Sequence, residues 1–147
     1  MKVYLAARYS RNAEMRGYRD DLVAMGHEVT SRWIDLHSGT VSFVSAEALG
    51  IQEKSFTPEQ LSATPTLCNE YAEADWSDLA EAQWVISFTC ATGGKGGRHV
   101  EFGIGLASNK RMIVVGPREH VFHTLADVEH FEDWPSCRKA LESQLTR

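Results

Sequence analysis

The chain has 147 residues, of which 43% are hydrophobic, and a formal net charge of −5. This length fits one globular domain, residues 1–147, built on one core. The acidic balance argues against a general nucleic-acid binder or a membrane-surface binder, because such partners select a basic face. A small molecule is therefore the expected ligand.

The cysteines and the first residues indicate the compartment. Cys68, Cys90 and Cys137 are far apart and lack the CxxC spacing of a metal or redox site, so we expect reduced thiols in a cytoplasmic protein. The start, MKVYLAARYSR, has too short an apolar run for a signal peptide. No apolar run approaches the roughly 20 residues of a membrane span. The sequence thus predicts a soluble, intracellular protein.

Apolar runs of strand length alternate with helical patterns along the chain. A strand at residues 2–7 is followed by a helix that Ser10 or Asn12 can cap and that Gly26 ends. Further strands are predicted at residues 27–34, 83–89, 111–116 and 128–131, and further helices at residues 69–82, 98–109 and 133–145. This alternation predicts a single-domain, Rossmann-like (flavodoxin-like) α/β fold: about five parallel strands with helices on both faces.

One long connection separates the second predicted strand from the next helix. Residues 35–66 are rich in Ser, Thr and Gly, contain two prolines, and fit no element of the sheet. The segment is about twice as long as a usual connection. We therefore predict that it forms a lid or specificity loop.

Three segments are expected at the ligand-binding edge, because ligands of such sheets lie at the carboxyl ends of the strands, near the topological switch point. They are the turn AARYSRN after the first strand, the glycine-rich turn CATGGKGGRH after the third, and the helix that precedes the third strand. A helical wheel places Asp75 of that helix on a buried stripe with Tyr71 and Leu79, and places Asp78 on or near the solvated side. A buried charge is costly unless it is paired or neutralised. We therefore expect Asp75 either to cap a helix or hydrogen-bond to a loop, or to act as an acid with a raised pKa.

The glycine-rich turn leads into a helix that carries Glu101. An acidic residue in a first helical turn can simply complement the helix dipole. The exposed N–H groups of the turn also suit an anion, and a carboxylate beside an anion site suggests chemistry. Gly103 and Gly105 in the helix body each cost about 1 kcal/mol relative to alanine, which suggests that something approaches this backbone closely.

Three stretches carry a resemblance to a known family: VYLAARYSR, ADWSDLAEAQWVISF, and GGRHVEFGIGLA followed by NKRMIVVG. Over nearly its full length the chain resembles the nucleoside 2-deoxyribosyltransferase superfamily, including its 2'-deoxynucleoside 5'-monophosphate N-glycosidase branch. The resemblance implies that Glu101 is the nucleophile that forms a covalent glycosyl-enzyme and that Asp75 donates a proton towards the departing base. Tyr4 either bonds Glu101 and holds its rotamer or packs in the core.

The resemblance also suggests where the substrate binds. A 5'-phosphate is expected at the first turn or the glycine-rich turn, and Trp33 either stacks the base or packs as a sheet aromatic. The binding residues predicted at these places are Ala6, Arg8, Ser10, Arg11, Trp33, Lys95, Gly96, Gly97 and Arg98. The arginines of the first turn can equally be solvated side chains. No cofactor is expected.

The segment after the fourth strand contains a group of histidines. In relatives it reaches across a dimer interface, so His120, Phe122 and His123 are predicted to contribute to a neighbouring active site in a homodimer or higher homo-oligomer. A zinc site drawn from His120, His123 and His130 lacks a helix that positions these side chains, and the family uses no metal, so no metal is predicted.

Three functions remain open. The basic residues Arg8, Arg11, Lys95 and Arg98 favour hydrolysis of a nucleoside 5'-monophosphate to free base and sugar 5-phosphate. A deoxyribosyltransferase that exchanges bases is the first alternative, and a nucleotide sensor without turnover is the second. The sequence GGKGGRHVE also resembles the loop of cytokinin-activating phosphoribohydrolases, although the Asp75 match favours the deoxyribosyl family.

Overall fold

The computed structural model describes residues 1–35, 58–63, 65–90 and 96–145. In these residues five parallel strands form one sheet in the order β2-β1-β3-β4-β5. The strands are β1 (Lys2–Ala6), β2 (Glu28–Val29), β3 (Trp84–Phe88), β4 (Arg111–Val115) and β5 (Val128–Phe131). The chain leaves β1 for β2 on one side and later returns to β3 on the other. The switch point therefore lies between the carboxyl ends of β1 and β3.

Helices cover both faces of this sheet. They are α1 (Asn12–Ala24), α2 (Pro58–Ala63), α3 (Pro65–Glu81), α4 (Gly97–Ala107) and α5 (Trp134–Leu145). On one face, Phe88 of β3 contacts Tyr18 of α1 and Trp134 of α5, with ring centroids 5.1 and 5.8 Å away. On the other face lie α3 and α4. The predicted α/β Rossmann-like architecture is confirmed.

The two-residue periodicity of the strands determines which sheet residues face α4. Tyr4, Val85 and Met112 are opposite one another in the parallel register, so their side chains point the same way from three adjacent strands. A Cβ added to Gly105 of α4 would lie 2.8 Å from Met112 Sδ and 3.0 Å from Val85 Cγ2. The close approach predicted for this helix is therefore its own packing on the sheet. Gly103, by contrast, has open space among the described residues.

The second strand is shorter than the sequence predicted. Residues 27–34 were expected to form one strand, but only Glu28–Val29 pair with β1, and Arg32–Ile34 form a 3₁₀ turn. Burial at every second position continues into this turn, because Ser31 and Trp33 are both buried. The two-residue periodicity of the sequence therefore predicted a longer strand than the structure contains.

The predicted lid lies mostly outside the described residues. Within residues 35–66 the structure describes Asp35, the helix α2 and the first residues of α3. The part that the structure shows is thus helical rather than irregular. No helix in the described ranges is long and apolar enough to cross a bilayer.

Candidate active site

A buried phenol and a glutamate form the centre of the candidate site. The Tyr4 hydroxyl on β1 donates a hydrogen bond of 2.7 Å to Oε1 of Glu101 on α4. Tyr4 is fully buried and Glu101 is half-buried. A hydrogen bond to a charged acceptor is stronger than a neutral one and fixes geometry, so it holds the Glu101 carboxylate against Tyr4 of β1.

Asp75 belongs to the same electrostatic neighbourhood. Burial raises the pKa of Tyr4 well above its usual value, and the negative charges of Glu101 and Asp75 raise it further. Tyr4 therefore remains a protonated donor at any physiological pH. The two carboxylates that the sequence singled out, from α3 and α4, thus both act on the phenol of one β1 residue.

Asp78, which the sequence placed on or near the solvated side of α3, is buried. It is 6% exposed, whereas Asp75 is only half-buried. Its carboxylate accepts bonds from the Arg32 backbone N–H at 2.9 Å and from Arg32 Nε at 2.6 Å. Burial raises the pKa of Asp78, and these bonds to Arg32 oppose the rise. A helical wheel could not find this role because the partner lies 46 residues away in sequence.

The bonds of Asp78 also help to fix the position of Asp75. The Thr30 hydroxyl donates to the Asp78 carbonyl at 2.8 Å, so side chain and backbone of this residue both bind the segment after β2. α3 is thereby fixed against the sheet less than one turn after Asp75. Asp78 is a structural residue that the sequence analysis missed.

Trp33 does not end a strand and is not at an open edge. It lies in the 3₁₀ turn, is 5% exposed, and its Nε1 donates to the Leu5 carbonyl at 2.8 Å. Its ring centroid is 6.4 Å from that of Tyr9. The arrangement favours the packed-aromatic alternative over base stacking. Tyr9, half-buried in the turn after β1, is an aromatic at this edge that the sequence analysis did not consider.

Arg11, in the first turn after β1, is already paired with a nearby acidic residue. Arg11 donates from Nε and Nη2 to the two carboxylate oxygens of Glu14, at 2.8 and 2.7 Å, and from Nη1 to the Thr89 carbonyl at 3.3 Å. In the described residues, Arg8 is half-buried with no side-chain hydrogen bond or ion pair, and Ser10 is exposed. Ala6, at the end of β1, is buried. Arg8 is therefore the arginine of this turn with the least local compensation.

A second ion pair lies at the glycine-rich turn. Arg98 is 5% exposed and its Nη2 pairs with Oε1 of Glu119, an acid after β4 that the sequence analysis missed. The same oxygen accepts the Cys90 backbone N–H at 3.3 Å. Glu119 therefore binds both sides of the glycine-rich turn. Lys95 lies outside the described residues.

The start of α4 depends on Gly96. This residue adopts φ 89°, in the left-handed region that favours glycine, and its carbonyl accepts the N–H groups of His99 and Val100. Gly97, the first residue of α4, is exposed. The helix direction set here, together with the contact at Gly105, brings Glu101 within reach of Tyr4.

The segment predicted to reach a partner subunit divides into two parts. Phe122 is 58% exposed, whereas His123 is 1% exposed and packs edge-on against Phe102 of α4, with ring centroids 4.7 Å apart. His123 is thus committed to the core of its own chain, which argues against its predicted role in a neighbouring site. His120 is half-buried between His99 and His123. The contribution of Phe122 to a partner stays a prediction.

Comparison with known proteins gives a structural match. No protein-family model matches the sequence, and no curated protein matches it. The solved structure titled "Structure of Clostridium botulinum CMP N-glycosidase, BcmB" superposes with a TM-score of 0.54 and 18% sequence identity, covering 100% of both chains. At this identity the match shows the fold alone. The chain therefore has the fold of a solved nucleotide N-glycosidase.

Proposed function

We propose that this protein cleaves the N-glycosidic bond of a nucleoside 5'-monophosphate, releasing the free base and a sugar 5-phosphate. Glu101 is the nucleophile, Asp75 the acid that protonates the base, and Tyr4 the residue that holds Glu101. The observation that carries the proposal is the 2.7 Å bond between Tyr4 and Glu101 beside the charge of Asp75. The fold shared with a CMP N-glycosidase supports a nucleotide as the substrate class.

The first chemical step uses the two carboxylates in different roles. Cleavage of an N-glycosidic bond passes through an oxocarbenium-like sugar, which a carboxylate at the anomeric carbon captures. A Glu101 oxygen forms a bond to the anomeric carbon as the bond to the base nitrogen breaks. The base leaves with that electron pair and takes a proton from Asp75. The products of this step are a glycosyl ester of Glu101 and a neutral free base.

The second step returns the enzyme to its starting state. Asp75, now a carboxylate, takes a proton from a water molecule that attacks the anomeric carbon. The ester bond to Glu101 breaks, and Glu101 leaves as a carboxylate that again accepts the Tyr4 hydroxyl. The sugar 5-phosphate carries the new hydroxyl. The proton that Asp75 gave to the base is thus replaced by one from water.

One observation favours a transferase as the second candidate. Arg11 and Arg98 are paired with Glu14 and Glu119, so the positive charge near the site is smaller than the sequence suggests. A site with little uncompensated positive charge suits an unphosphorylated nucleoside, which transferases use. A deoxyribosyltransferase would pass the sugar from Glu101 to a second base instead of water.

A substrate panel separates these functions. The purified protein is incubated with CMP, dCMP and other nucleoside 5'-monophosphates, and with the matching nucleosides, with and without an acceptor base. Chromatography then measures free base, sugar phosphate and exchanged nucleoside. We expect base release that exceeds exchange and is at least about a hundredfold more efficient for the monophosphate, because charge-assisted contacts to a phosphate contribute about 1.5–3 kcal/mol each.

Glu101→Gln is the matched catalytic test. Loss of a nucleophile removes a transition-state interaction, so we expect base release to fall by at least about a thousandfold. Glu73→Gln, which removes an exposed carboxylate from α3, is the control and should retain activity. Unchanged turnover by Glu101→Gln excludes this nucleophile, and base exchange that outruns release assigns a transferase.

A further inference from the structure

Three histidines from two separate segments meet beside α4. His99 lies in the first turn of α4, His120 precedes the 3₁₀ turn Val121–Thr124, and His123 lies within that turn. Each histidine offers one ring nitrogen as a ligand atom, and these three nitrogens lie within 4.8 Å of one another. The ring centroids of His120 and His123 are 3.7 Å apart, and those of His99 and His120 are 4.9 Å apart.

Several polar atoms of this cluster are buried without a hydrogen-bond partner in the described residues. They are Nδ1 of His120, Nε2 of His123 and Oε2 of Glu119. His123 is only 1% exposed. Buried polar atoms are nearly always bonded, and unbonded ones commonly mark an absent ion or water. These unbonded atoms belong to, or lie beside, three histidines whose ligand atoms are close enough together to bind one ion.

We propose that His99, His120 and His123 bind a divalent transition-metal ion of the Zn²⁺ type. Imidazole nitrogen is a preferred ligand of such ions, and three protein nitrogens plus a fourth ligand complete the tetrahedral geometry of zinc. Glu119 Oε2 lies 3.9 Å from His99 Nε2. It is placed to supply the fourth ligand or to accept a hydrogen bond from a metal-bound water.

The metal requires one local change at His123. In the structure, the Glu119 backbone N–H donates to His123 Nδ1 at 3.2 Å, which places the proton of the neutral ring on Nε2. Binding through Nε2 moves that proton to Nδ1 through solvent and breaks the bond from the amide. The net proton count of the ring is unchanged, and the backbone at Glu119 turns away from Nδ1.

The position of the cluster indicates a structural site. It joins the segment after β4 to the first turn of α4, on the flank of the helix opposite Glu101, since two helical positions differ by about 200°. His130, which the sequence analysis combined with His120 and His123, bonds the Gly116 carbonyl instead at 2.7 Å. His99 is the third ligand, and it comes from a different element. The inference does not depend on the proposed function.

The test measures metal binding directly. Untagged protein is freed of metal with a chelator and titrated with Zn²⁺ by calorimetry and with Co²⁺ by visible absorption. We expect one equivalent of either ion, the intense visible bands of tetrahedral Co²⁺, and a Tm that rises by about 5 to 10 °C when free Zn²⁺ is a hundredfold above Kd.

Histidine variants locate the ion. His99→Gln and His120→Gln should each weaken Zn²⁺ binding at least about tenfold, and His99 is partly exposed, so its variant is expected to fold. His130→Gln, outside the cluster, is the control and should bind one equivalent with unchanged affinity. Absence of Zn²⁺ and Co²⁺ binding by the original protein, or unchanged affinity in both cluster variants, overturns the proposal and leaves ordered water as the occupant.

Discussion

The phenol of Tyr4 donates a hydrogen bond to Glu101 and also experiences the negative charge of Asp75. Its burial and the charges of Glu101 and Asp75 keep it protonated, so it acts on Glu101 only by donating. A carboxylate that accepts such a bond is held in one orientation and is favoured in its charged form. Both effects suit the role of ionised nucleophile that we propose for Glu101.

Tyr4→Phe removes this donor while retaining the ring. Since a hydrogen bond to a charged group contributes about 1.5–3 kcal/mol, we expect kcat to fall about 10- to 150-fold with little change in KM. The acid limb of the pH-rate profile should move to higher pH, because Glu101 loses a partner that favours its ionised form. Steady-state kinetics across pH measure both effects.

Tyr18→Phe is the control for that variant. Its hydroxyl donates to Glu14 at 2.6 Å on the opposite face of the sheet. It should leave the pH-rate profile unchanged. An unshifted acid limb in Tyr4→Phe would show that the phenol packs in the core without setting the ionisation of Glu101.

Two aspartates on α3 allow a paired test. Asp75→Asn should slow substrates with poor leaving groups more than activated ones, because only the former need a proton. Asp78→Asn should instead lower the free energy of unfolding by about 1–3 kcal/mol, because it weakens the buried bonds to Arg32. Kinetics with a series of bases and urea unfolding distinguish the two. Equal losses across leaving groups would limit Asp75 to positioning.

At the scale of elements, α4 is the part that brings the site together. It begins at Gly97, directly after the left-handed Gly96, and packs closely on the sheet at Gly105. Glu101 lies in its second turn and not in the first turn that the sequence predicted, because the helix starts one residue earlier than expected. The position of Glu101, the proposed nucleophile, therefore depends on how closely this helix approaches β3 and β4.

Two alanine variants of α4 test this dependence. Gly105→Ala should lower the free energy of unfolding by about 1–3 kcal/mol, since its methyl would press against Met112 and Val85 and move the helix outwards. Gly103→Ala has open space among the described residues and should raise stability by up to about 1 kcal/mol through helix propensity. Thermal unfolding of both variants is the measurement. Equal stabilisation by the two would refute the close-packing role of Gly105.

The sequence predicts some parts of these elements better than others. Helix bounds and the Asp75 and Glu101 positions follow from local periodicity and motifs, and α3, α4 and α5 lie within four residues of the predicted ends. Contacts between segments that are distant in sequence cannot be predicted from such local patterns. The bonds of Asp78 to Arg32 and of Glu119 to Arg98 join residues 46 and 21 positions apart, so no local pattern reveals them. The second strand was also predicted too long, because Ser31 and Trp33 are buried two residues apart at the 3₁₀ turn, as they would be in a strand.

At the scale of the whole molecule, the strand order explains why distant residues share one site. The switch point between β1 and β3 brings the first turn and the glycine-rich turn to one edge of the sheet. The opposite, amino-terminal edge has a different property. There His27 is 7% exposed, both of its ring nitrogens are buried without a partner in the described residues, and its ring lies 4.8 Å from that of Trp84.

His27 makes global stability sensitive to acid. Burial lowers its pKa, and the nearby positive charges of the amino terminus and Arg111 lower it further. Between the lowered folded pKa and the unfolded value of about 6.5, the unfolded chain binds more protons, so stability falls as pH drops through this range. His27→Phe should therefore lose less stability than the original protein between about pH 7.5 and about pH 5. Urea unfolding at both pH values measures the difference, and parallel losses would exclude His27.

Glu119 holds the glycine-rich turn from outside the turn itself. It binds Cys90 before the turn and Arg98 after it, and it comes from the segment that follows β4. The two ends of the turn are thus fixed independently of the residues between them. Sequence changes between these two bonds should therefore leave Glu101 in place. The cleavage step proposed for Glu101 and the choice of substrate could then evolve separately, the first on α4 and the second between Cys90 and Arg98.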